Sequence, residues 1–593
     1  MAASNSPAEQ LITENLDIWT SAIKKRGSQG RGSSKKIELY GVSVLRLLIL
    51  ELSFSGKLTE QSNENAVDLL TSLTNIKNEL IKKKVLKKNK PNGAVEANEV
   101  RITIPNNWKW SRLGDAFDVR DGTHDSPKYQ ECGYPLVTSK NIYNGVLDLS
   151  NIKYISEEDH LKISERSKVD RGDILFAMIG SIGNPVIIDI EPNFSVKNVG
   201  LFKYYDPKQS NPKYLQYYLM LAEKWFKEES TGAVQSFVSL GKLRSFPFPV
   251  APLKEQDSIV AKVDELMALC DQLEQQTETS LLAHQTLVET LLNTLLNADQ
   301  NSFDQAWERI AQHFDVLFTT EHSIDQLKQT ILQLAVMGKL VPQDPNDEPA
   351  SVLLEKIAAE KEQLLSNKEQ DKKIKKQKAL PPISDDEKPF ELPAGWEWVR
   401  LEALSHLITK GSSPKWQGVA YTENPEDILF VTSENVGANC LLLDKKKYVE
   451  KHFNEVEPRS ILRKGDILMN IVGGSIGRTA VFDIDALANI NQAVCLIRVF
   501  DEIIEKEYLL KFFNSETCRG YMFDKQVDNA RANLSMGNIS KFVIPLPPSA
   551  ESPRIVTKVN ELLALCETLK LHISESQATK LHLADTMAEQ ALN

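Results

Sequence analysis

The side chains in this chain best suited to chemistry are hydrogen-bonding and basic groups at two sets of matched loop positions. Thr138, Ser139, Lys140 and Asn141 answer to Thr432, Ser433, Glu434 and Asn435, and Ser126-Pro-Lys128 answers to Ser413-Pro-Lys415. Lys197, Arg478, Arg531 and Asn533 complete the candidate set. Arginine and lysine pair with guanine edges, asparagine with adenine edges, and hydroxyls and lysines with phosphates, so this inventory suits the reading of a nucleic acid. The shared Thr-Ser-x-Asn equally suits the capping of strand ends. Positions where the two sets differ, Lys140 against Glu434 and Asn184 against Arg478, are the better candidates for unequal specificity.

Other chemistry is missing. Both Gly-Lys pairs, Gly56-Lys57 and Gly338-Lys339, are followed by leucine, so no phosphate-binding GxxxxGK[ST] loop exists, and no HExxH, G-x-S-x-G or EF-hand pattern occurs. The Asp/Asn-Pro-Pro-aromatic tetrapeptide that grips a flipped base is absent, because Pro381-Pro382 and Pro547-Pro548 lack its flanking residues. Gly473-Gly-Ser-Ile-Gly477 lacks GxGxxG spacing and reads as a turn. His124, His160, His284 and His406 have no metal-spaced neighbour, and six cysteines contain no CxxC pair. We assign no catalytic residue and no metal ligand. The apolar run 42–54 contains Arg46 and Glu51 and is too short for a membrane, and the Met1-Ala-Ala-Ser start lacks a signal sequence, so a cytoplasmic location is expected.

A net charge of −11 argues against tight, unaided nucleic-acid binding. Two lysine-dense stretches, from Lys82 to Lys90 and from Lys372 to Lys378, nevertheless occupy equivalent places and read as solvated linkers or interaction segments.

These residues sit in a chain that says the same thing twice. Arg171-Gly-Asp-Ile-Leu175 returns as Lys464-Gly-Asp-Ile-Leu468, Val137-Thr-Ser-Lys-Asn141 as Val431-Thr-Ser-Glu-Asn435, and Val263-Asp-Glu-Leu-Met-Ala-Leu-Cys270 as Val559-Asn-Glu-Leu-Leu-Ala-Leu-Cys566. A repeat of roughly 290 residues is far longer than a solenoid unit, so each copy is a set of domains. Val42, Leu45, Ile49 and Leu52, and again Ile324, Leu327, Ile331 and Leu334, keep the three-four spacing of an amphipathic helix ended by Gly56 or Gly338. Pro105-Asn-Asn-Trp-Lys-Trp110 and Pro393-Ala-Gly-Trp-Glu-Trp398 then open a globule of short strands and turns. Long helices follow near Glu255 and Glu551, with heptad seams at Val263, Leu266, Cys270 and Leu273 and at Val559, Leu562, Cys566 and Leu569. The seam cysteines read as small buried hydrophobes.

The reading is therefore of mixed α/β (α+β) class, with two similar globules separated by long antiparallel coiled-coil helices. Its segments are a partly flexible N-terminal extension (1–40), a helix (41–60), a basic linker (61–103), globule one (104–254) and a central helical spacer (255–340). A second basic linker (341–391), globule two (392–550) and a C-terminal helix (551–593) complete it. The C-terminal helix lacks a following partner, so the 42–58 helix is expected to pair with it and close a pseudo-twofold ring.

Together, the tandem globules, Gly-Lys-Leu helices, Trp-x-Trp openings, Gly-Asp-Ile-Leu turns and the Pro252-Leu-Lys-Glu-Gln256 helix start resemble the specificity subunits of type I restriction-modification systems, over residues 40–593. The length resembles the larger-subunit class. The second copy departs by carrying Glu551-Ser-Pro553 where the first has Glu255-Gln256. The resemblance implies two target-recognition domains, each reading half of a bipartite, asymmetric site in double-stranded DNA. It also implies helices that dock two methyltransferase subunits, and two restriction subunits that join them. It implies no cofactor on this chain, with S-adenosylmethionine, ATP and Mg2+ used by the partners for adenine-N6 methylation and cleavage. The competing readings are a coiled-coil scaffold with protein-binding globules and a diverged DNA methyltransferase or nuclease.

Overall fold

The structure is a computed structural model that describes residues 7–25, 37–88, 91–143, 145–229, 237–299, 301–369, 380–500, 503–524 and 534–592. The chain forms two compact units, Met1–Leu281 with Ser576–Asn593, and Leu282–Glu575.

In the first unit, helix Tyr40–Phe54 buries Val42, Leu45, Ile49 and Leu52 on one face. It stops at Gly56, whose φ of +68° only glycine adopts cheaply. The Gly56 and Lys57 amides close back on Ser53 and Leu52, the Schellman arrangement. A side chain on Gly56 would also strike Pro105, with a Cβ only 2.2 Å from its Cγ. The ending thus serves both the helix and the globule that follows. Lys57 donates to the carbonyl of Leu592 and Tyr40 to Asp585 at 2.8 Å, while Ala584 and Met587 join the same apolar core. These contacts join the helix to the last turns of helix Glu551–Leu592. On its other side Arg46 bonds Asp271 and Glu274 of the long helix Leu253–Asn297 at 2.6 and 2.8 Å.

The second unit repeats this around helix Glu321–Val336. Gly338 has φ +68°, and a Cβ there would lie 2.6 Å from Pro393 Cγ. Lys339 donates to the Leu296 and Ala298 carbonyls, each at 2.8 Å. In both copies the Gly-Lys pair ends one helix and caps another, supplying donors to terminal carbonyls that have no partner within their own helix.

Each globule is pinned by its opening and closing strands, Lys109–Arg112 with Pro247–Val250 and Glu397–Arg400 with Val543–Leu546, both antiparallel. In globule one an antiparallel sheet runs Gly183–Ile187, Ile174–Ala177, Val199–Lys203, Asp118–Asp121. Its counterpart runs Thr479–Val481, Ile467–Asn470, Val494–Val499, Ser405–Lys410, the same order. A second sheet in each globule contains one parallel pair, Tyr134–Val137 with Ser195–Val196 and Ile428–Val431 with Ala488–Ile490. The Gly-Asp-Ile-Leu motif is the turn into the central strand. Gly172 and Gly465 take φ of +93° and +98°, and the buried Asp173 and Asp466 accept from the backbone three residues earlier, at Asp170 and Arg463. Both carboxylates are ion-paired to the neighbouring strand, at Lys203 and Arg498.

The two basic linkers are more structured than composition suggested. Helices Ala66–Lys82 and Ala350–Glu369 occupy them. Lys77 donates to the carbonyl of Gly114, and Lys361 to that of Glu402, at 2.9 and 2.7 Å. The chain then returns under an arginine of the opening strand. Arg112 grips Glu99 with two bonds of 2.8 and 2.7 Å, and Arg400 grips Glu387 at 3.0 and 2.8 Å. Those guanidinium bonds hold both carboxyls down to about 2. Residues 89–90 and the Lys372–Lys378 stretch lie outside the described residues.

The N-terminal extension holds helices Pro7–Glu14 and Leu16–Ser21, and Lys24–Lys25 pairs with Ile37–Glu38. Trp19 is fully buried, and Gln577 donates to the Ser21 and Ile23 carbonyls. Residues 26–36, most of the Gly/Ser/basic stretch, lie outside the described residues.

Trp108 donates to the buried Glu255 at 2.8 Å and Trp396 to the buried Glu551 at 2.9 Å. Trp108→Phe and Trp396→Phe each remove one donor from a buried carboxylate. Each should therefore cost about 1.5–3 kcal/mol, read as a lower midpoint of chemical denaturation; an unchanged midpoint would contradict the role given to these bonds. Cys132 and Cys440 are exposed, whereas Cys270, Cys495, Cys518 and Cys566 are buried, and burial raises all four of their thiols. A thiol reagent at neutral pH should label two cysteines in the native chain and all six after denaturation. Rapid native labelling of the seam cysteines would contradict this packing.

Candidate nucleic-acid interface

In globule one the candidates Lys128, Thr138–Asn141 and Lys197, and in globule two Lys415 and Thr432–Asn435, stand on segments that meet at one end of the parallel strand pair. Because the two strands run the same way, the segments leaving them emerge side by side. Lys197 follows strand Ser195–Val196, and its amide donates to the carbonyl of Val137 at 2.9 Å, just before Thr138. The same end receives the loop that begins at Gly122. This glycine is pressed on the strand so closely that a Cβ would lie 2.3 Å from the Val196 carbonyl oxygen. In globule two a Cβ on Gly411 would lie 1.8 Å from the Ile490 carbonyl oxygen. Any larger residue would push either loop off the sheet.

From these roots rise Ser126-Pro-Lys128 and Ser413-Pro-Lys415, with both lysines exposed. Lys197 is tied to the first loop by a 2.6 Å bond from its ammonium to Ser126 Oγ. An aromatic follows each lysine, Tyr129 at 44% and Trp416 at 75% exposure, and Lys153 lies 4.2 Å from the centre of the Tyr129 ring. Sequence reasoning missed this pair, although the signal was present: the matched tripeptide continues as Tyr129-Gln130 and Trp416-Gln417.

The Thr-Ser-x-Asn turns serve the fold. Asn141 Oδ1 accepts from both the amide and the hydroxyl of Thr138 at 3.0 Å, and Asn141 Nδ2 donates to the Asp148 carbonyl at 3.1 Å. Asn435 does the same for Thr432, at 3.0 Å for both, and donates to the Leu442 and Lys445 carbonyls. These polar groups are occupied within the protein, as the capping alternative expects, which leaves Thr138, Asn141, Thr432 and Asn435 poor base readers. Ser139 and Ser433 are half-buried, and the Ser433 carbonyl accepts from Asn470.

Lys140 and Glu434, the first position of difference, are both exposed. Glu434 is ion-paired to Lys447 at 3.0 Å, which holds its carboxyl below the ordinary value. Arg478 is exposed beside the Gly473–Ser475 turn, and its counterpart Asn184 is half-buried with φ +51°. Arg531 and Asn533 lie outside the described residues.

The seam residues are in the two apolar cores. Val263, Leu266 and Cys270 are buried in the first unit with Leu273 half-buried; Val559 and Cys566 are buried in the second, with Leu562 and Leu569 half-buried. Burial pushes the Cys270 thiol up to about 11, far from a reactive value.

Among the described residues no cluster of His, Cys, Asp and Glu is arranged to hold a metal ion, and no helix is long and apolar enough to cross a membrane.

Comparison with known proteins agrees with the repeat. The family model for the type I restriction modification DNA specificity domain matches twice, at residues 105–283 and 393–576, together more than half of the chain. The EcoAI type I restriction enzyme specificity subunit of Escherichia coli is 35% identical over 99% of this chain and its own whole length. The EcoEI specificity subunit of the same organism is also 35% identical, over 99% of this chain and its whole length. Among solved structures, the HsdS subunit from Thermoanaerobacter tengcongensis is 18% identical at a TM-score of 0.37, covering 84% of this chain and 99% of that one. That score adds nothing to the family match. Two family domains on one chain, and relatives matched from end to end, place this protein in the family of type I restriction-modification DNA specificity subunits.

Proposed function

We propose that globules 104–254 and 392–550 each read one half of a bipartite, asymmetric site in double-stranded DNA. The observation that carries this reading is a shared framework with unequal exposed side chains. The strand order, loop roots and Thr-Asn turns are the same in both copies, while Lys140 aligns with Glu434 and Asn184 with Arg478 in the repeat. Base readers must change when the bases change, whereas the scaffold that presents them need not. The long helices then set the unspecified spacer and dock two methyltransferase subunits, and two restriction subunits join that assembly. S-adenosylmethionine, ATP and Mg2+ act on those partners and none is bound by this chain, which works in the cytoplasm as a specificity subunit without catalysis of its own. Partner subunits also supply phosphate contacts that a chain of net charge −11 is poorly suited to make alone.

Exchanging residues 105–254 for the matching segment of a relative should change one half of the methylated sequence and leave the other half intact. Sequencing of methylated adenines reads this directly, and a change in both halves would contradict the modular reading. Shortening the Leu253–Asn297 helix together with the pairing helix Glu321–Val336 should change the spacer alone.

A further inference from the structure

We propose that the two Ser-Pro-Lys-aromatic-Gln loops, 126–130 and 413–417, grip the DNA backbone without reading its sequence. In each loop the lysine meets a phosphate and the exposed ring lies over the sugar beside it. This rests on the reading of the globules as DNA readers and divides their surface into two kinds of contact.

Repetition is the first argument. Two half-sites of different sequence share only their sugar-phosphate backbone, so a contact kept in both copies must read what both halves have in common. Ser126-Pro-Lys-Tyr-Gln130 and Ser413-Pro-Lys-Trp-Gln417 differ only in which aromatic they carry, while Lys140 and Glu434 on the adjoining turn differ in charge. Presentation is the second. Both loops are rooted at a glycine that admits no side chain against the strand, so their position relative to the sheet is fixed. Gln417 is further held by Ser412 at 2.9 Å and Glu457 at 2.8 Å. The third is exposure: Trp416, which follows Lys415, leaves 75% of its surface in water, and Tyr129, which follows Lys128, is 44% exposed with the Lys153 ammonium over its ring. Exposed rings next to exposed ammonium groups suit a polyanion that covers both.

The test uses the complex reconstituted with its methyltransferase subunits and two duplexes, one carrying the methylated motif and one scrambled, over a salt series. Lys415→Ala should weaken both duplexes by the same factor, roughly 3- to 10-fold near physiological salt, and lower the slope of log K against log salt by about 1. Trp416→Ala should likewise weaken both, Lys415→Arg should restore the slope, and the methylated motif should stay the same in every variant. Weakening confined to the target duplex, or a changed base in one half-site, would overturn the proposal by making the loop a base reader. Unchanged affinity and slope would overturn it by removing the loop from the interface. A wild-type complex that fails to distinguish the two duplexes would instead overturn the reading on which the proposal rests.

Discussion

A buried carboxylate in the first turn of each long helix is the joint on which the molecule depends. Glu255 and Glu551 are almost wholly shielded from water, a costly place for a carboxyl group unless donors surround it. Trp108, Asn107 and the Ser62 amide converge on Glu255, and Trp396 and Gln343 on Glu551. Burial still raises the Glu551 carboxyl, against the lowering effect of Trp396 and Gln343. The helix N-terminus adds the positive end of its dipole. Because the acceptor belongs to the helix and the indole to the opening of the globule, the bond fixes where each globule sits on its helix. It also explains a departure within the repeat: the second copy loses the glutamine but keeps the glutamate.

Around that joint the shared residues serve the framework. Gly56 and Gly338 let a helix end against a proline, Lys57 and Lys339 cap a second helix, and Arg112 and Arg400 draw the preceding segment back onto the globule. Asp173 and Asp466 close the turn into the central strand. A duplicated chain can keep all of these while its exposed loop residues diverge, because each of them is engaged within the protein.

Much of this was legible in the residues. Helix Tyr40–Phe54 and its twin announced themselves by spacing and a terminal glycine, and the repeated motifs alone align the two globules. What escaped reading depends on partners far along the chain. The lysine-dense stretch from Lys82 drew attention away from helix Ala66–Lys82 before it, whose only buried side chains are Ala66 and Leu73 and whose Lys77 finds its acceptors at Gly114 and Asp115. Thr138 and Asn141 carried the groups of a base reader, and only their mutual bonds reveal that those groups are occupied. The N-terminal helices were missed as part of the repeat, although Leu16-Asp-Ile-Trp19 answers to Phe314-Asp-Val-Leu317. Each follows a helix after a single-residue break, and both Trp19 and Leu317 are buried.

Two copies of one framework that specify two different halves of a DNA site must leave a two-part mark on the genome. Genome-wide sequencing of methylated adenines, in cells with and without this chain, tests it most directly. The expected motif has two specified blocks of different sequence, separated by a fixed unspecified gap, and disappears when the chain is removed. A single continuous block, or a motif that persists without the chain, would contradict it.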